Sequence, residues 1–248
     1  MWNRAELKSG AKLALRGTYW QAFLVSLLAA IVLNLFLSVD LIMEWHLLNS
    51  RALIQTDPME YVSGLEIERT VNFLIGPYEL FVGLPILVGL ARFFVRNRSG
   101  KGDADDLFSP FFSHYGGRVW AMFVTRLFVL LWGLLLIVPG VIKSLEYCFV
   151  KYLIAENPEL PGSRARAISS ALTDGQKSSI FVLILSFVGW YALGFVCAGV
   201  GILFVHPYYR ATMAELYVTL RDEAVGNGRL DPAELGLPSV TPEPGTVG

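Results

Sequence analysis

The stretch Tyr19–Val39, YWQAFLVSLLAAIVLNLFLSV, runs for twenty-one residues without one charged side chain. At 1.5 Å per residue, a helix of that length crosses a hydrocarbon core about 30 Å thick. Within lipid every backbone amide and carbonyl must be satisfied inside the fold, and a continuous apolar run meets that demand as a helix. The run is too long for the apolar region of a cleavable signal peptide and lacks a clear small-x-small exit, so it reads as a retained signal anchor.

The rest of the chain has the same character. Of 248 residues, 54% are hydrophobic and 17% charged, with mean hydropathy +0.52. A soluble domain carries about 25% charge. We therefore expect an all-α, polytopic integral membrane helical bundle. Its spans should lie near 19–39, 71–93, 118–138, 141–156, 178–198 and 200–221. Residues 1–18 form a cytoplasmic amphipathic helix ahead of this transmembrane domain (19–221). Residues 222–248, with Pro232, Pro238, Pro242 and Pro244 among glycines, read as a disordered cytoplasmic tail.

Lysines and arginines set the orientation. Four precede the first span, five lie at 92–118, three at 164–177 and three after 209, fifteen of the twenty in all. The loop 40–70 holds only Arg51 and Arg69. Both termini are accordingly expected on the cytoplasmic face of a multi-pass protein in the cell membrane. A five-span alternative folds Pro139–Glu156 into a kinked or re-entrant piece and places Arg164, Arg166 and the tail outside, against the charge bias.

Local signals refine this picture. Arg4, Lys8, Lys12 and Arg16 recur every four residues opposite Leu7, Ala11, Ala14 and Leu15. That is a basic amphipathic helix suited to anionic lipid headgroups. Pro77, Pro85, Pro139-Gly140 and Pro207 mark breaks or hinges in the spans. ALRGTYWQAFLV, HYGGRVWAMFV and LTDGQKSSIFVL each place Phe six residues after a glycine (Gly17, Gly117, Gly175), which suggests three units of surface segment plus hairpin. Gly194, Ala198, Gly199 and Gly201 permit close helix contact. Cys148 and Cys197 lie in apolar runs without metal or disulfide spacing and read as small packing residues.

Two stretches carry a resemblance. LSFVGWYALG followed by GVGILFVHPYYRATMAELY is similar to the C-terminal signature of an uncharacterised family of bacterial integral membrane proteins: LSF-x-GW, a G-x-G break, then a PY pair. LLLIVPGVIKSLEYCFVKYLIAENP and RAELKSGAKLALRGTYWQAFLVSLL resemble further parts of that family. The resemblance covers most of residues 3–221 and departs from the family in the loop 40–70 and in the tail. It implies a fold and no activity. A more distant likeness is to the membrane domain attached to some glycerophosphodiester phosphodiesterases, whose catalytic domain has no counterpart here.

Four charges lie inside the spans. With a helical rise of 1.5 Å, Glu79, Arg126, Glu146 and Lys151 fall in one depth band and sum to zero, while Lys143 is interfacial at about 3 Å. A mid-membrane charge costs about 2.5–3.5 kcal/mol on insertion scales, so it faces protein or water. One reading of the four is a structural ion network that fixes helix register. The other is a hydrated polar site for a headgroup, ion or solute.

Catalytic signals are missing from the sequence: it holds no HExxH, GxSxG or phosphate-loop motif, and His46, His114 and His206 fall on separate segments. Asp103, Asp105 and Asp106 lack the Gly and Glu of a calcium loop and read as a solvated N-cap cluster. Net charge −1 gives no bulk attraction to nucleic acid. The expected function is a non-enzymatic membrane scaffold or regulatory component without metal or cofactor. Its partners are the lipid bilayer and a membrane protein or a second copy of the chain. The alternative is a transporter-like or lipid- or solute-binding protein that uses the buried charges.

Overall fold

Left-handed glycines turn the chain into two of its long helices. Gly17 (φ 89°) and Gly175 (φ 68°) each stand two residues ahead of an apolar helix. In the middle unit Gly117 is helical, and His114 (φ 48°) takes the left-handed position directly before the helix. The three-unit pattern is present, with its middle register shifted by three residues.

The computed structural model describes residues 2–34, 73–196 and 199–237. Its elements are α1 (Arg4–Leu15), α2 (Tyr19–Leu33), α3 (Phe73–Asn97), α4 (Tyr115–Leu135), α5 (Ile137–Glu146), α6 (Val150–Glu156), α7 (Gly162–Thr173), α8 (Lys177–Val196) and α9 (Val200–Gly226). Short 3₁₀ turns at Ala104–Leu107 and Pro232–Leu235 and a single helical turn at Ser109–Phe112 complete them, and every regular element among the described residues is helical.

Three hairpins rise from one packed body. In the first, the Tyr78 hydroxyl of α3 donates to the Val32 carbonyl of α2. At its other end Asn97 Nδ2 donates to Ala14 O (3.2 Å) and Thr18 Oγ1 (3.0 Å). Glycines bring the other two together. A Cβ on Gly140 would lie 2.5 Å from Gly133 Cα, and one on Gly201 would lie 2.6 Å from Gly194 Cα. Such small-residue crossings suit helices that share no hydrophobic drive to pack in lipid.

Apolar side chains are divided between the two ends. At the hairpin tips Leu134, Ile137 and Val196 are 80–84% exposed. In the body, α1, α6, α7 and the second halves of α3 and α9 bury Leu7, Phe93, Leu153, Ile168 and Leu216. Helices α3, α4 and α8 are each long and apolar enough to cross a membrane, and α2 adds a fourth if it is joined to α1, from which it bends by 96°. The described residues therefore give three or four such helices, not six. Residues 35–39, 71–72, the loop 40–70, Cys197, Ala198 and the tail from 238 onward lie outside the described residues.

The span placed at 141–156 is not one helix. The chain turns at Leu136 (φ −157°, ψ 139°), before Pro139, which sits in the first turn of α5 where its missing N–H costs nothing. A second break at Tyr147–Phe149 separates α5 from α6, whose residues 150 and 152–155 are all buried. Pro85 acts differently. It follows a π-turn at Glu79–Gly83 and offers no amide to the Phe81 carbonyl four residues before it, which accepts the Tyr115 hydroxyl at 2.6 Å. Pro207 lies inside α9, which continues to Gly226.

Helix α1 turns one apolar face onto protein. Leu7, Ala11 and Leu15 are buried, mainly against α9. Lys8 donates to Ser186 Oγ (2.8 Å) and lies 4.8 Å over the Phe187 ring, while Lys12 lies 5.9 Å over the Tyr208 ring. Of that basic row Arg4, Lys12 and Arg16 stay exposed, and Lys8 is half-buried.

The tail is also ordered further than its composition suggests. Leu230 and Leu235 are buried, Asp231 caps the last 3₁₀ turn, and Asn157 Nδ2 donates to Glu234 O at 2.9 Å. Arg164 forks onto the Glu234 carboxylate. Its hydrogen bond holds that carboxyl below the ordinary range. A lowered folded-state value means that the contribution is complete above the unfolded value of about 4.3 and is lost as pH falls below it. Amide exchange at 229–237, corrected for intrinsic rate, is expected to accelerate about threefold from pH 5 to pH 3, the scale of a surface pair. Glu234→Gln should already exchange fast at pH 5. An unchanged profile in that variant removes the pair from this role.

Candidate functional site

The four interior charges resolve into three separate places. Glu79 and Arg126 meet between α3 and α4, with Arg126 Nη1 donating to Glu79 Oε2 at 3.0 Å. Both side chains are more than half exposed. They line an apolar groove of about 780 Å³ with Pro77, Phe81, Phe123 and Leu130.

Glu146 ends α5 and is buried. Lys143 Nζ approaches its Oε2 at 2.9 Å and Lys177 Nζ at 3.7 Å, and the Ser170 hydroxyl donates to Oε1. Its backbone carbonyl accepts from Ser169 Oγ at 2.7 Å. Three helices, α5, α7 and α8, are tied at this one carboxylate.

Lys151 belongs to neither group. Depth counting assumed one helix from Val141, and the break at Tyr147–Phe149 turns Lys151 away from Glu146. It lies 5.2 Å over the Tyr152 ring, within electrostatic reach of Arg210 and His206 on α9. The spacing of 206 and 210 puts those two on one helix face. Arg210 Nε donates to His206 Nε2 at 3.1 Å. Arginine has no acceptor, so Nε2 is the bare nitrogen and Nδ1 carries the proton, which it offers to the Tyr191 hydroxyl at 3.4 Å. The imidazole is thereby neutral.

The chemistry of this third place is one-sided. Among the described residues, no carboxylate pairs with Lys151 or Arg210, and neither the Lys151 Nζ nor the Arg210 Nη groups have a protein acceptor. Interior acids elsewhere among the described residues are all engaged: Asp106 with Arg92 and Arg96, Glu156 with Arg221 and the Tyr217 hydroxyl, Glu215 with Arg98. Lys151 and Arg210 thus present free donors in a half-buried setting flanked by Tyr191 and Tyr209. Such a group can take an anion; it offers nothing to a cation. No group of His, Cys, Asp or Glu suited to a metal occurs among the described residues.

The sequence pointed to Lys151 but missed its companions. The 206/210 spacing was visible, yet that the face of α9 meets α6 is a tertiary fact. The aspartates read as a solvated cluster behave in two ways. Asp103 caps the turn at Ala104–Leu107, while Asp106 is 3% exposed and neutralised by two arginines.

A family model described as "Protein of unknown function (DUF975)" matches residues 1–224. No curated protein and no solved structure matches the chain.

Proposed function

We propose, for a chain that belongs to the DUF975 family of proteins of unknown function, a non-enzymatic integral membrane protein that binds an anionic group, a lipid phosphate or a small anion, at Lys151, Arg210 and His206. The carrying observation is the pair of half-buried cations that, among the described residues, have no carboxylate partner, with the Lys151 Nζ and the Arg210 Nη groups left without a protein acceptor. A charge of this kind is expensive inside a fold unless something of opposite sign meets it. In this reading the three hairpins make six crossings, two of them on the broken α5–α6 segment and the polar α9, with both termini cytoplasmic. The distribution of lysine and arginine supports that orientation.

Native mass spectrometry of the full chain, released gently from detergent, tests the binding. The wild type is expected to retain a phosphate-bearing lipid or small anion. Lys151→Met and Arg210→Gln should each lower its occupancy roughly tenfold, as loss of a charge-assisted hydrogen bond implies. Because Lys151 has no carboxylate partner among the described residues and only its place over the Tyr152 ring to lose, its variant should melt close to the wild type. Wild-type protein free of such ligands, or ligand retained equally in both variants, overturns the reading.

A scaffold or regulatory role is favoured by a different observation, the exposed Glu79–Arg126 pair in its apolar groove. An ion pair facing hydrocarbon is better covered by a partner helix or a second copy of the chain.

A further inference from the structure

The first turns of α4 and α7 face each other across a cleft of about 870 Å³. His114 precedes α4 and Pro161 precedes α7, and neither helix has a side-chain cap. The first helical bonds run from Arg118 N to His114 O (3.1 Å) and from Ala165 N to Pro161 O (2.9 Å). The amides of 115–117 and 162–164 therefore precede the helical ladder and lie where both dipoles are positive. Gly162 allows this convergence, because a Cβ there would lie 2.5 Å from the Ala121 Cβ.

Beneath the cleft lies Arg118, only 2% exposed. Its Nη1 donates to the Ser109 carbonyl at 3.3 Å, and its Nε and Nη2 have no partner among the described residues. The charged neighbour acting on it, Arg92, has the same sign and is engaged by Asp106. On the other wall Arg166 stacks over Phe128 at 5.4 Å. The acid in the lining, Glu159, is exposed at the rim, 3.7 Å from His114 Nε2. A buried, uncompensated guanidinium under two uncapped helix starts calls for an anion.

We propose that this cleft binds the phosphate of a phosphate ester. The free amides and Arg166 make the contacts, and Arg118 supplies the field from within the wall. The volume suits an ester rather than a bare ion. Trp120 and Val124 continue the wall into the exposed apolar face of α4 at Leu127 and Leu130, where acyl chains would lie. A phospholipid headgroup and a soluble ester share this chemistry. The site stands apart from Lys151 and does not rest on it.

Thermal unfolding of the delipidated full chain in phosphate-free buffer tests the proposal. The two probes are glycerol phosphate and a short-chain phosphatidate, titrated separately. The wild type is expected to gain stability with at least one. Phosphatidate alone identifies the source as lipid, and glycerol phosphate as a soluble ester; neither acting overturns the site. Arg118→Met and Arg166→Gln, each made in a Lys151→Met background so that the Lys151 place does not answer the probes, should weaken binding roughly tenfold. Without ligand, Arg118→Met should melt at or above the wild type, because it removes an unpaired buried charge. A merely structural arginine would give a lower melting temperature. Should Arg118→Met not fold, that result counts against the proposal, and an undiminished response in Arg166→Gln overturns it independently.

Discussion

Gly89→Ala is expected to lower stability by about 2–3 kcal/mol, although alanine is the better helix former by about 1 kcal/mol. Gly89 lies within α3 where the turn at Ala104–Leu107 crosses it. A Cβ there would stand 2.0 Å from the Leu107 carbonyl oxygen, 2.6 Å from its carbon and 2.9 Å from the Asp106 oxygen. These are backbone atoms and cannot swing aside like a side-chain tip. The turn is held by the reciprocal Asp103–Asp106 cap and by fully buried Leu107. The overpacking term therefore exceeds the propensity gain. For a chain of this size the loss corresponds to a fall in melting temperature of about 4–12 °C. Gly189→Ala on exposed α8 is the control, since its Cβ would meet nothing within 4 Å. It should be neutral or stabilising by up to about 1 kcal/mol. Equal melting of Gly89→Ala and wild type would show that the turn does not seat on α3 this closely.

This contact also marks where the sequence stops being informative. The long apolar runs at α2, α3, α4 and α8 announce themselves, because nothing but a helix satisfies their backbone in lipid. The corners at Gly17 and Gly175 were visible as glycines ahead of those runs. The division of α5 from α6 was not. Pro139-Gly140 is the obvious break signal, yet the chain turns earlier at Leu136, where the Gly133–Gly140 contact needs the corner. Composition likewise makes residues 227–237 look like solvent-exposed tail. What orders them is the packing of Leu230 and Leu235 and the reach of Arg164, none of which leaves a local trace. For the candidate site, charge type and depth were legible, but partner identity was not. Glu146 finds Lys143 within its own helix, whereas Lys151 meets Arg210 about sixty positions away, through a helix break that depth counting could not see.

Asp106→Asn is expected to be among the most damaging substitutions that leave shape almost unchanged. Its carboxylate is 3% exposed and neutralises Arg92 and Arg96 together, with Arg92 Nε at 3.2 Å, and it accepts the Asp103 amide at 3.0 Å. Breaking a buried pair by removing one partner costs about 3–5 kcal/mol. Arg92 and Arg96 keep 32% and 44% of their side-chain surface in solvent, so the loss here should be about 2–4 kcal/mol. The charge has a further consequence. Arg92 also acts on buried Arg118, so losing Asp106 leaves three guanidinium groups near one another without an acid. Adding Arg92→Gln to Asp106→Asn should therefore recover part of the loss, a coupling that only interacting charges produce. Unfolding by denaturant titration of the two single variants and the double variant measures it. A loss under about 0.5 kcal/mol for Asp106→Asn would place this carboxylate with ordinary surface pairs. Additive losses in the double variant would leave the turn held by its cap and by Leu107 rather than by charge.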